Sequence, residues 1–160
     1  MKQKQQFLAG CRSALPVILG FVPVGIAYAI MARQAGFSIF QTCSLSLFVF
    51  AGASQIMAVG MWTQKAGILA IVLATFILNL RHLIMSTCVM NRMQKGHPLL
   101  RILTAFGVTD ESFAIFTTEK KENDTVFFFA GLVITTYISW NLGTLAGAIA
   151  SSLLPEIVSA

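Results

Sequence analysis

The chain is cut into apolar runs of membrane length. Ala14–Met31 holds eighteen residues without a charge, interrupted by Pro16, Gly20, Pro23 and Gly25. A helix needs roughly 20 mainly apolar residues to cross the hydrocarbon core. Further runs cover Cys43–Trp62, Ala66–Met90, Leu99–Thr118 and Val126–Pro155. Continuous runs form helices, because membrane strands alternate in polarity over about ten residues. Of the 160 residues, 56% are hydrophobic and 11% charged, where a soluble domain carries about 25% charge. The expectation is an all-α polytopic membrane protein. Residues 1–160 form one transmembrane domain of about five hydrophobic segments, with the lipid bilayer as solvent.

The net charge of +5 is not a nucleic-acid footprint, because no basic stripe interleaves with aromatics on a polar surface. The Lys and Arg sit in short connections, where they encode orientation. Cys11, Cys43 and Cys88 are read as small buried residues, and His82 and His97 are isolated, so no metal site is expected. Lys2, Lys4 and Arg12 before an apolar stretch, with Ala27-Tyr28-Ala29 after it, imitate a signal peptide. The chain beyond is equally apolar, so this stretch is read as the first membrane helix, with a cytoplasmic N-terminus.

Orientation poses a puzzle. The N-terminus and the connection 91–101 (Arg92, Lys95, His97, Arg101) are both basic and both favour the cytoplasm. Three full crossings between them would put them on opposite sides. Either segment two or three fails to cross simply, as a broken or re-entrant helix lining a protein cavity can, or the charge rule is overridden. The patch Gly52-Ala53-Ser54-Gln55 is the candidate break. Pro23, Gly25, Gly107 and Gly143 are further candidate helix breaks. Segment five, about 45 Å long if helical, must tilt, break near Asn141–Gly147, or leave the bilayer.

A sparse repeat at an offset of 87 pairs Gly20 with Gly107, Ala27 with Ala114, Phe40 with Phe127, Leu45 with Leu132 and Gly60 with Gly147. It lays Pro23 on Asp110 and Ser54 on Asn141. Interrupted spans in corresponding halves point to a transporter site. The reading is an inverted repeat whose second unit is one span short.

Charged doublets sit inside two of the apolar runs: Arg81-His82 and Asp110-Glu111. Each ion at the centre of a spanning helix costs roughly 2.5–3.5 kcal/mol. Gly107 can release a helix, Thr109 suits an N-cap with Ser112 three residues on, and Asp110 and Glu111 then fall in a first turn favoured by the helix dipole. These acids either bind a cation or proton, or pair with Arg81 and hold helices together. Arg81 grips a carboxylate or snorkels to the headgroups, and His82 relays protons or is structural. Ser54 and Gln55 bond a ligand or form a helix-packing face. Trp62 reads as an interface anchor, while Trp140, Asn141 and Gly143 lie deep enough to line a cavity. Catalysis is not expected: Ile56 breaks the Gly-x-Ser-x-Gly frame around Ser54, and there is no Gly-rich phosphate loop. No cofactor is expected either.

Four motifs then resemble the AzlC family, the large subunit of branched-chain amino acid exporters. They are Phe50–Gln55 (FAGASQ), Asn79–Ser86 (NLRHLIMS), Gly107–Ala114 (GVTDESFA) and Ser139–Ala148 (SWNLGTLAGA). The interrupted first span, LPVILGFVPVGIAYA, also fits. The resemblance implies export of leucine, isoleucine, valine and sometimes methionine across the cytoplasmic membrane. It also implies a small hydrophobic AzlD-type partner subunit, and further hydrophobic segments beyond the point where this sequence stops. The expected function is a proton-coupled exporter subunit. Asp110, Glu111, Arg81, His82, Thr109, Gln55, Ser54 and Asn141 are its candidate substrate- or proton-binding residues. An ion channel and a non-transporting interaction subunit are the alternatives.

Overall fold

A computed structural model describes residues 3–93 and 98–153. Lys2, Lys95, His97 and the end of the fifth segment, 154–155, lie outside the described residues. Among the described residues eight α-helices follow one another: α1 (Gln3–Ser13), α2 (Leu15–Gln34), α3 (Ile39–Phe48), α4 (Gly52–Thr63), α5 (Ile68–Arg92), α6 (Pro98–Phe106), α7 (Asp110–Thr118) and α8 (Val126–Leu153), with a 3₁₀ turn at Lys121–Asn123. No strand occurs among the described residues. Of the five apolar runs, α2, α5 and α8 are single helices long and apolar enough to cross a membrane. The other two are each split into a pair of half-helices.

The chain forms two compact units, one of residues 1–19 and 80–138, the other of 20–79 and 139–160. In the first, α6 runs antiparallel to α5: Arg101 donates to Met90 O (2.9 Å), Ser86 meets Ala105 O (3.4 Å) and His82 meets Val108 O (2.8 Å). The chain turns at 107–109, and α7 returns alongside α5 until Arg92 donates to Phe116 O (2.8 Å) and Glu119 O (3.3 Å). So α6 and α7 make a helical hairpin that turns back part-way along α5. A side chain at Gly107 would put its Cβ 1.9 Å from Val133 Cγ1, so only glycine lets the turn reach α8. The hairpin packs on buried Phe116, Phe128, Phe129, Leu132 and Val108.

The second unit repeats the motif. Tyr28 of α2 donates to Thr42 O (3.2 Å) and Phe21 meets Phe50, so α3 runs back along α2. The chain turns at Val49–Ala51, where Phe50 has φ 43°, a left-handed value uncommon for a bulky residue. α4 then returns until Trp62 packs edge-on against Phe37, 5.7 Å away, just before α3. Gly143 and Gly147 of α8, spaced for close packing, take the backbone of α2: Cβ atoms there would fall 2.7 Å from Val22 O and 2.5 Å from Ile26 O.

Several expectations change. The α3–α4 break lies at Val49–Ala51, ahead of the Gly52–Gln55 patch, and Gly52 is the first residue of α4. α2 runs unbroken past Pro23 and Gly25, and α8 runs unbroken past Asn141, Gly143 and Gly147. In an apolar setting each backbone group freed from a helix costs several kcal/mol, so proline gives up one bond rather than a turn. The glycines there serve close approach. Cys88 is exposed rather than buried, as befits a helix whose outer face meets lipid. Element starts repeat at 58 rather than 87: Gly52 and Asp110 begin α4 and α7, and Ile68 and Val126 begin α5 and α8. Matches among common apolar residues carry little information, whereas helix breaks mark the architecture.

Two of the basic segments meet within the first unit. Ser13, ending α1, donates to Glu119 Oε1 (3.1 Å), and Arg92, ending α5, donates to Glu119 O. The start of α2 and the end of α5 therefore lie at one end of this unit. Segment two is a pair of half-helices rather than one long apolar helix.

Candidate functional site

The first cluster surrounds the tip of α6–α7. Thr109 is the N-cap of α7, its hydroxyl accepting from Ser112 N (3.3 Å) while Ser112 Oγ accepts from Thr109 N (2.8 Å). That reciprocal box satisfies two first-turn donors. Asp110 and Glu111 follow as the first two residues of α7, where the helix dipole favours acids. Arg81 Nη1 lies 2.8 Å from Asp110 Oδ2, with side chains 37% and 50% exposed. Glu111 is also exposed. The acidic doublet thus sits in the first turn of a half-helix, as the Gly107 break and the Thr109 cap lead one to expect, and the break leaves it at a surface. His82 Nδ1 is 2.8 Å from Val108 O, and its buried Nε2 has no partner. A ring whose Nδ1–H donates to that carbonyl keeps Nε2 as a free acceptor.

The second cluster lies around the tip of α3–α4. Ser46 Oγ is its hub: Gln55 Nε2 (3.0 Å) and Trp140 Nε1 (3.2 Å) donate to it, and Thr144 Oγ1 lies 2.8 Å away. With both lone pairs used, Ser46 donates to Thr144. Ser54 donates to Asn79 Oδ1. Trp140 also stacks on Tyr28 (6.1 Å) and meets Phe21 edge-on (5.5 Å), and its ring covers Gly52, where a Cβ would be 2.6 Å from it. Asn141, next on α8, is half-buried. So the structure groups Arg81, His82, Thr109 and Asp110 in one unit, and Ser54, Gln55 and Asn141 belong to the other.

Sequence reasoning passed over Ser46 and Thr144. Their signal was a hydroxyl in an apolar run, which is common enough in membrane helices to look like packing. It also passed over the ion pair of Arg92 with Asp124, because the tract EKKENDT reads as a solvated loop.

These motifs and this fold meet in one comparison. The pattern of the AzlC protein family matches residues 16–154. The chain belongs to the AzlC family. Relatives include a membrane protein of Archaeoglobus fulgidus, 32% identical over 96% of this chain and 67% of that protein. The inner membrane protein YgaZ of Escherichia coli is 29% identical over 91% of the chain and 61% of its own length. The branched-chain amino acid transport protein AzlC of Bacillus subtilis is 28% identical over 95% of the chain and 62% of its length. This AzlC-family chain therefore spans about three fifths to two thirds of the relatives it matches. No solved structure matches it.

Proposed function

We propose that this chain forms the core of a cytoplasmic-membrane exporter for branched-chain amino acids, driven by the proton gradient. It would export leucine, isoleucine, valine and methionine together with a small hydrophobic AzlD-type subunit. The observation that carries this reading is the Arg81–Asp110 pair, 2.8 Å apart at the opening of a half-helix, in a chain of this family. Half-helix tips are where secondary transporters build their sites. In this reading Asp110, Glu111 and His82 are the carriers of the coupling proton, and Arg81 is the partner of Asp110. Side chains differing by a methylene are separated by only about 1–3 kcal/mol, so selectivity among the cargoes is loose. The end carrying Arg12, Arg92 and Arg101 faces the cytoplasm under the positive-inside rule.

Cells lacking this chain, loaded with a leucine-containing dipeptide, should accumulate leucine and should release it when chain and partner are restored. A proton uncoupler should stop that release. Efflux insensitive to the uncoupler removes the coupling, and accumulation unchanged by the chain removes the exporter reading.

A further inference from the structure

The two hairpin tips are built alike but finished differently. At α7 the N-terminus is closed by the Thr109–Ser112 box, and Asp110 is already paired to Arg81. At α4 the N-cap position is Ala51, which has no side chain to offer, so the first-turn N–H groups of Gly52, Ala53 and Ser54 have no side-chain cap. Capping is worth about 1 kcal/mol, and four N–H groups of every helix start need partners. An uncapped, positively polarised helix start is an anion site in waiting.

A second, independent observation lies one turn on. Gln55 is 2% exposed, and its Nε2 is committed to Ser46. Its Oε1 is buried without a partner. A buried acceptor left unsatisfied costs about 1–3 kcal/mol, so it is kept where something supplies the donor. Side chains of a helix lean toward its N-terminus, and Gln55 follows the uncapped first turn directly, where the Trp140 ring covers Gly52. Beside that turn stand three aromatic rings, Phe21, Phe50 and Trp140.

We propose that the N-terminus of α4 binds the zwitterionic head of an α-amino acid, with the carboxylate on the Gly52–Ser54 N–H groups, the ammonium on Gln55 Oε1, and the apolar side chain against Phe21, Phe50 and Trp140. The identity of the cargo rests on the exporter reading; the site itself rests on the uncapped turn and the orphaned acceptor. Gly52 and Trp140 decide side-chain size, because the indole lies directly over the glycine. The ring moves when a side chain enters.

Trp62 and Trp140 are the two tryptophans, so Trp62→Phe leaves Trp140 as sole reporter. In the purified full chain carrying that change, L-leucine should shift the Trp140 emission saturably. 4-Methylpentanoate, which keeps the carboxylate and side chain but lacks the ammonium, should bind more weakly. Gln55→Leu should weaken leucine by roughly ten- to a hundredfold, as expected for a lost charge-assisted hydrogen bond, and leave 4-methylpentanoate unchanged. Should Gln55→Leu fail to fold, Gln55→Glu serves in its place: it keeps an acceptor and should hold leucine at least as tightly. Equal losses for both ligands, no loss for leucine, or absence of any leucine response overturns the proposal. Leucine efflux in cells separates the two readings. Efflux that survives Gln55→Leu sinks the site and spares the exporter, whereas binding without efflux sinks the exporter and spares the site.

Discussion

Arg81 of α5 is ion-paired across 2.8 Å to Asp110, the first residue of α7, and the pair is partly open to the surface. An exposed pair of this kind contributes about 0–1 kcal/mol. It is too weak to be what holds the hairpin, so the transport role proposed for it can be tested apart from stability.

Asp110→Asn keeps the shape and removes the charge. Its thermal stability should stay within about 1 kcal/mol of the parent, while leucine efflux falls roughly tenfold or more, a barrier change of about 1.4 kcal/mol. Efflux rates at matched expression decide the matter, and parental rates would remove Asp110 from the mechanism.

Arg92 should behave in the opposite way. Its guanidinium bonds two carbonyls, pairs with Asp124 and sits 5.0 Å from the centre of the Phe116 ring. Arg92→Ala leaves Asp124 and those carbonyls without their donor and should cost about 2–4 kcal/mol. Arg92→Lys should recover only part, because an ammonium lacks the planar fork. Melting in detergent measures both; a melting point unchanged in Arg92→Ala would contradict this account.

Two glycines make a matched pair. A Cβ at Gly131 would lie 2.2 Å from Phe7 O, whereas Gly20 has nothing within 4 Å. Gly131→Ala should push α1 from α8 and cost about 1–3 kcal/mol. Gly20→Ala, in an open helix interior, should stabilise by about 0.5–1 kcal/mol. Finding the same sign for both substitutions would show that close approach is not the reason for Gly131.

The cap of α7 gives a smaller, local test. Thr109→Ala should cost about 1 kcal/mol and Thr109→Ser almost nothing. Hydrogen exchange at the first turn of α7 should quicken in the alanine variant alone; equal protection in both variants would mean that the box is idle.

The helical character, the five apolar stretches and the break at Gly107 could be read from the chain. So could the Thr109 cap with Asp110 and Glu111 in the following turn, since capping depends on residues three apart. The second break was misplaced by a few residues, because Phe50 carries the left-handed turn and nothing in its type announces that. Pro23 and Gly143 looked like interruptions, yet they lie within intact helices.

Sequence alone settled the solvent and the local elements, because hydropathy and caps act over a few neighbouring residues. The tertiary structure decided that two of the stretches fold back as pairs of half-helices. It also brought Gln55, Trp140 and Thr144 onto the Ser46 hydroxyl. That grouping joins residues far apart in the chain, and no local pattern records it. It arises because buried polar atoms must find one another once lipid and packed side chains exclude water.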